Sequence, residues 1–168
     1  HMETTYRTIG TIRSPFTDQD ATPIQSIFSG AEGTIEVFSE YAEGLRGVEG
    51  FSHIFLPYHL HQSDGFRLFE RPLIDGSKER GIFSIRHFNH QNLIGISPAG
   101  VISVEGNTVR VRGVDVLDGI PLPDIKPCVR QFDHRDDVRS GWVDARDTGG
   151  VGVRSFSPKD LRDHEESS

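Results

Sequence analysis

A single cysteine, Cys128, in 168 residues excludes an internal disulfide and with it the stapled scaffolds of small secreted domains; it points to a reducing compartment. No apolar run approaches the roughly 18 residues that a membrane-spanning helix needs, and the charged start lacks the apolar core of a signal peptide. A cytoplasmic protein without a membrane partner is therefore expected. Gly-rich phosphate loops, Walker motifs, nucleophile elbows, zinc-finger spacings and internal repeats are all missing. Positive charge is also short. The net charge of −7 slows encounter with polyanions, although a local basic patch remains compatible with it.

What is present is short, alternating and β-branched. Tyr6–Ile12 alternates and is closed by Arg13-Ser-Pro-Phe16, because Pro15 has no N–H for a ladder. Thr34–Phe38 reads as a half-buried strand after the Gly30/Gly33 turn, and Phe51–His61 as a strand first buried on both faces, with a bulge or edge at Pro57. Gly81–Ile85, Ile94–Val104 and Thr108–Val116 are three further strands. Gly106-Asn107 marks a hairpin turn in which two successive residues can take positive φ. Tyr41–Val48 reads as a short helix weakened by Gly44 and Gly47. Residues 62–79 form a loop longer than a plain hairpin connection, the kind that carries function. Six or seven short strands with few short helices predict a mostly β chain: a single antiparallel β-barrel domain over residues 5–142, followed by a partly flexible C-terminal extension over 143–168.

Three constellations bear on chemistry. His59 and His61, two apart on a strand, share a face as a metal pair would, with His87 or His90 as a third donor; no metal site is assigned, since the ligand set is incomplete. Asp115, Asp118 and Asp124 fall within ten positions, with Lys126 close by among prolines; such a group can orient a ribose, polarise a nucleophile or hold a divalent ion. Arg110 and Arg112 share one strand face, a stripe suited to RNA phosphates or simply to solvent.

Several segments in order resemble the TrmO family, also called TsaA or VirR, of S-adenosylmethionine-dependent tRNA methyltransferases. They are Ile9-Gly-Thr-Ile-Arg-Ser-Pro-Phe16, Pro23-Ile-Gln25, Gly44-Leu-Arg-Gly-Val-Glu-Gly-Phe-Ser-His53, His61-Gln62, Gly81–Arg86, Asn92-Leu-Ile-Gly95, Asp115-Val-Leu-Asp-Gly-Ile-Pro121 and Asp124-Ile-Lys-Pro127. The resemblance implies a non-Rossmann β-barrel methyltransferase, homodimeric, that methylates N6 of N6-threonylcarbamoyladenosine beside the anticodon of tRNA. It also implies that S-adenosylmethionine contacts Pro23, Ile24, Gln25, His61, Gln62, Arg86, Ile96, Asp118, Gly119, Ile120 and Pro121. Asp124 and Lys126 are the expected catalytic pair, on chemistry rather than on the motif. Two other readings stay open: a methyltransferase of the same fold acting on a small molecule, and a non-catalytic protein that binds S-adenosylmethionine or a metal. The family pattern Arg-Ser-Pro-x-Arg-Pro-Asn-Pro-Ile-Gly reads here Arg86-His-Phe-Asn-His-Gln-Asn-Leu-Ile-Gly95. Three prolines and one fixed cation are gone, so a less rigid loop is expected.

Overall fold

The computed structural model describes residues 1–18, 30–60 and 63–145. Seven strands form one antiparallel sheet: β1 (Gly10–Arg13), β2 (Glu32–Val37), β3 (His53–His59), β6 (Ile94–Glu105), β7 (Thr108–Arg112), β8 (Ile120–Leu122) and β9 (Lys126–Pro127), in the order β8-β1-β2-β7-β6-β3-β9. A separate two-stranded hairpin pairs β4 (Phe69–Glu70) with β5 (Arg80–Gly81).

The sheet's two outermost strands, β8 and β9, are consecutive in the chain, joined by residues 123–125 alone. Ile120–Leu122 pair with Ile12–Gly10, and Lys126 and Pro127 pair with Phe55 and Ile54. Both are antiparallel to their partners, so residues 120–127 make one passage whose first half belongs to β1 and whose second half belongs to β3. That passage curls the sheet into a nearly closed barrel, as the sequence pattern predicts.

Alternation fills the barrel. Ile12, Ile35, Ile54, Leu56, Val109, Val111, Ile120 and Leu122 point inward and are almost fully buried. In β3 only one face is buried; His53 is exposed, so the expectation of burial on both faces does not hold there. Pro57 lies beyond the part of β3 that β9 covers, on what is an edge at that point, where a missing N–H costs no ladder bond.

Three expectations change. Gly81–Ile85 is not a strand: after β5 the chain makes a 3₁₀ turn over Ile82–Ser84, which puts Ile82 and Ile85 on one buried side and leaves Phe83 exposed. β7 stops at Arg112, because Gly113 turns at φ 86° and both Gly113 and Val114 give their N–H to Ala31 O. The Gly106-Asn107 hairpin forms, but only Gly106 has positive φ (59°); Asn107 is held instead by Val37, whose N–H it accepts at 2.9 Å and whose carbonyl it bonds through Nδ2 at 2.8 Å. Tyr41–Val48 is helical in the 3₁₀ form, as Ser39–Leu45 and Val48–Gly50 with Gly47 at φ 94° between them.

Candidate active site

One end of the barrel is a polar mouth built by the ends of β1, β3 and β7 and the starts of β6 and β8. At the end of β1, Ser14 Oγ donates to Val116 O (2.6 Å) and accepts from Phe16 N (3.2 Å), folding Arg13–Phe16 against residues 116–118. Phe16 O accepts Asp118 N–H (2.8 Å), and Asp118 Oδ1 accepts Ser14 N–H (3.0 Å). The other oxygen of Asp118 faces solvent, 3.8 Å from Arg13 Nη1. Gly119 takes φ 78° so that its N–H can reach Ile12 O, which starts β8.

Inside the mouth stand Tyr58, Ser97 and Asp115. Ser97 Oγ donates to Asp115 Oδ1 at 2.5 Å, and both residues are buried. Tyr58 is opposite Gly95 across the β3–β6 ladder, and its ring lies over the place where a Cβ would be. Burial first, and then the charge of Asp115, push the Tyr58 hydroxyl above its ordinary range, against the opposing effects of a Ser97 hydrogen bond and the nearby Arg86 guanidinium. Tyr58 therefore stays a neutral hydrogen-bonding group at any physiological pH.

Of the expected cofactor positions, Arg86, Ile96, Asp118, Gly119, Ile120 and Pro121 come to this end. Ile96 is on the outer face of β6, half exposed and opposite Pro57; Ile120 turns its side chain into the core, and Pro121 is opposite Thr11. Pro23, Ile24, Gln25, His61 and Gln62 lie outside the described residues.

Asp124 and Lys126 do not join them. They form an ion pair of 3.1 Å with each other, and Asp124 Oδ1 also accepts Ile125 N–H at 2.8 Å. β8 runs from the Gly119 turn away from the mouth, about 10 Å at strand rise, before the chain reaches Asp124. Asp124 lines a cleft of about 440 Å³ at the opposite end, among Ile9, Tyr41, Val48 and Phe51. Arg110 and Arg112 both face Glu32, at 2.8 and 3.9 Å, which neutralises much of the stripe. Among the described residues no three His, Cys, Asp or Glu gather as metal ligands, and His61 is outside them. Sequence reasoning missed Tyr58, Gly95 and Ser97. Their signal was parity, since each is an even step from Leu56 or Ala99 on the inward face.

The altered loop is held by hydrogen bonds where the family uses proline. Asn89 Oδ1 accepts from Ser63 Oγ (2.7 Å) and Asp64 N (2.9 Å), its Nδ2 donates to buried Glu70 Oε1 (2.9 Å), and its own N–H goes to His87 Nδ1 (3.1 Å). Rigidity lost with the prolines is recovered by this lock. His87 Nε2 is left buried and without a hydrogen-bond partner, 3.8 Å from Glu70 Oε2. Burial chiefly, helped by the nearby His90 and Arg67 and opposed by the Glu70 and Asp64 carboxylates, pushes the His87 imidazole down to about 4. Between pH 6.5 and 4 the unfolded chain then binds a proton that the folded one refuses. Stability contributed by the neutral ring is full above pH 6.5 and falls as pH drops toward 4, by on the order of 3 kcal/mol. Urea unfolding at pH 7.5 and pH 5 should show about 2 kcal/mol of this loss, and His87→Gln should flatten it; equal slopes in both proteins would remove the assignment.

The family described as tRNA-methyltransferase O N-terminal domain matches residues 11–134. A probable S-adenosyl-L-methionine-binding protein of Pyrococcus abyssi is 46% identical over 140 residues, 83% of this chain and 76% of that protein. The mouse tRNA (adenine(37)-N6)-methyltransferase is 33% identical over 133 residues, 74% of this chain but 31% of its own length. A crystal structure of TrmO from Pseudomonas aeruginosa superposes with a TM-score of 0.73 at 33% identity, over 87% of this chain and 65% of that one. The chain thus spans less than two-thirds of the solved relative and about a third of the mouse one. The barrel, its mouth motifs and the archaeal likeness all agree with the matched span, and the chain belongs to the tRNA-methyltransferase O N-terminal domain family.

Proposed function

We propose that this protein transfers the methyl group of S-adenosylmethionine to N6 of adenosine 37 in tRNA, in its threonylcarbamoylated form, in the cytoplasm. The observation that carries the reading is a barrel of this family in which Arg86 lies close enough to influence Tyr58 in the mouth and the Asp118–Gly119 turn is held by Ser14 and Ile12 at the same end. The residues suit the cofactor. Arg86 offers a guanidinium for its carboxylate, Asp118 a solvent-facing oxygen for ribose hydroxyls, and half-exposed Ile96 an apolar surface for its adenine. Pro23, Ile24, Gln25, His61 and Gln62 complete the proposed contact set. When bound, S-adenosylmethionine supplies an electrophilic methyl on a sulfonium sulfur.

Positioning is the protein's main contribution, since in-line displacement needs the attacking nitrogen at about 3 Å and little else. That nitrogen belongs to a urea-like group, so its proton must be taken. Asp124 and Lys126 lie at the far end of their own barrel, and we assign them this role across a homodimer whose two barrels run antiparallel, one copy's far end beside the other's mouth. Mixing Arg86→Ala with Asp124→Asn protein then restores transfer that neither shows alone. No recovery, or an unimpaired Asp124→Asn enzyme, would remove that assignment.

The reading itself is tested with labelled cofactor and bulk tRNA followed by nucleoside analysis. Wild type labels modified adenosine, and Arg86→Ala binds cofactor at least about tenfold more weakly, as expected on losing a charge-assisted contact. Label appearing only with a metabolite extract would favour a small-molecule substrate, and binding without transfer a sensor.

A further inference from the structure

The lobe formed by residues 63–93 carries more exposed aromatic surface than solubility favours. Phe83 is 80% exposed, Phe69 61% and Phe66 45%. The ring of Phe83 is 6.0 Å from that of His90, whose Nε2 lies 2.9 Å from Ile85 O. Trp142, 58 residues further on, is brought to the same place: its Nε1–H donates to Ser84 O at 2.8 Å, and the Arg80 guanidinium lies 5.1 Å over its ring. One tier therefore gathers on the Ile82–Ser84 turn: Arg80 over Trp142, which Ser84 O holds, and Phe83 beside His90.

Charge separates this tier from the rest of the chain. Residues 63–90 hold five Lys/Arg against four Asp/Glu, or +1, within a protein of −7. One of the four, Glu70, is buried in the Asn89 lock, where its Oε1 also lies 3.5 Å from Arg67 Nε and offsets part of that cation's charge. The tier also leads to the mouth, because Arg86, three residues after Phe83, lies close enough to influence Tyr58.

We propose that this tier is a stacking platform for unpaired bases of the RNA loop presented to the mouth, with Phe83 and the Arg80–Trp142 pair as its base-stacking faces. Aromatic and guanidinium planes receive any base by its π-face, which suits a loop whose neighbouring bases vary while one adenosine is methylated. Arg110 and Arg112, shared with Glu32, are outside this footprint. The proposal deepens the methyl-transfer reading and rests on it for the identity of the RNA.

The test is fluorescence anisotropy with an anticodon stem-loop carrying the modified adenosine, and with a fully paired duplex of the same stem, at one fixed salt concentration. Phe83→Ala is chosen because the ring's exposure makes its loss harmless to folding, and circular dichroism checks this. Phe83→Ala and Arg80→Gln should each bind the stem-loop about tenfold more weakly, with duplex binding and cofactor affinity unchanged. Wild-type stem-loop affinity in both variants overturns the platform. So does a variant that shifts the sedimentation of the protein from dimer to monomer while keeping its RNA affinity, since the rings would then bury against a second copy. Wild-type protein that binds the stem-loop through Phe83 but transfers no methyl would sink the proposed reaction and leave the platform standing.

Discussion

Gly10→Ala should cost about 3 kcal/mol or more and lower the melting temperature by roughly 6–12 °C for a chain of this size. A Cβ at Gly10 would fall inside the contact radius of Glu36 O and 2.9 Å from Val37 Cα. Both are backbone atoms, and no rotamer change can move them aside. The only relief is to shift β1, and β1 holds two ladders at once: Gly10 is opposite Val37 on one side and Leu122 on the other. Opening the second ladder would also free β8 from β1 and loosen the passage over residues 120–127 that closes the barrel. Gly76→Ala is the control. Nothing lies within 4 Å of its added Cβ and its φ is unexceptional, so the change should stay within about 0.5 kcal/mol. Thermal unfolding of the two variants beside wild type checks both statements, and a Gly10→Ala protein that melts with wild type would show that β1 is not fixed where the ladders put it.

The sequence carried the ladders well and the closure poorly. β2, β6 and β7 each bury alternate residues, and that period of two is printed in Thr34–Val37 and Thr108–Arg112 without reference to any partner. Residues 120–127 gave no such signal, because Pro121, Pro123 and Pro127 interrupt the pattern and because its two halves answer to different strands. Asp124 and Lys126, close to Asp118 in sequence, stand apart from the mouth of their own barrel for the same reason: β8 carries the chain away from it at about 3.3 Å per residue. Conversely, Tyr58, Ser97 and Asp115 are distant in sequence and meet only because β3, β6 and the turn after β7 converge on one mouth. The loop after Arg86 was legible as a departure, but its compensation was not: that Asn89 would reach Ser63, Asp64 and Glu70 depends on how a long loop folds back on itself.

Gly95→Ala should reduce the proposed methyl transfer about a hundredfold while leaving the barrel folded. The new Cβ would overlap the Tyr58 ring and approach its Oη to 2.6 Å, and unlike the case of Gly10 the obstacle is a side chain that can swing away. Displacing it costs about 1–3 kcal/mol of stability, the usual effect of overfilling a packed site. The larger consequence is geometric. Tyr58 lies within reach of Ser97, Asp115 and Arg86, so a ring driven from Gly95 disturbs the surface on which the proposed transfer would align its reactants. A misplacement of about 1 Å can cost 10²-fold in rate. The second substitution that separates packing from chemistry is Tyr58→Leu. In the Gly95→Ala/Tyr58→Leu double variant the clash is gone, so stability should return toward that of Tyr58→Leu alone, a favourable coupling of 0.5–3 kcal/mol of the kind seen between touching residues. Transfer should not return, because the aligning ring is absent. Recovery of both quantities together would mean that Tyr58 only fills space, and recovery of neither would mean that Gly95 is needed for a reason other than the ring above it.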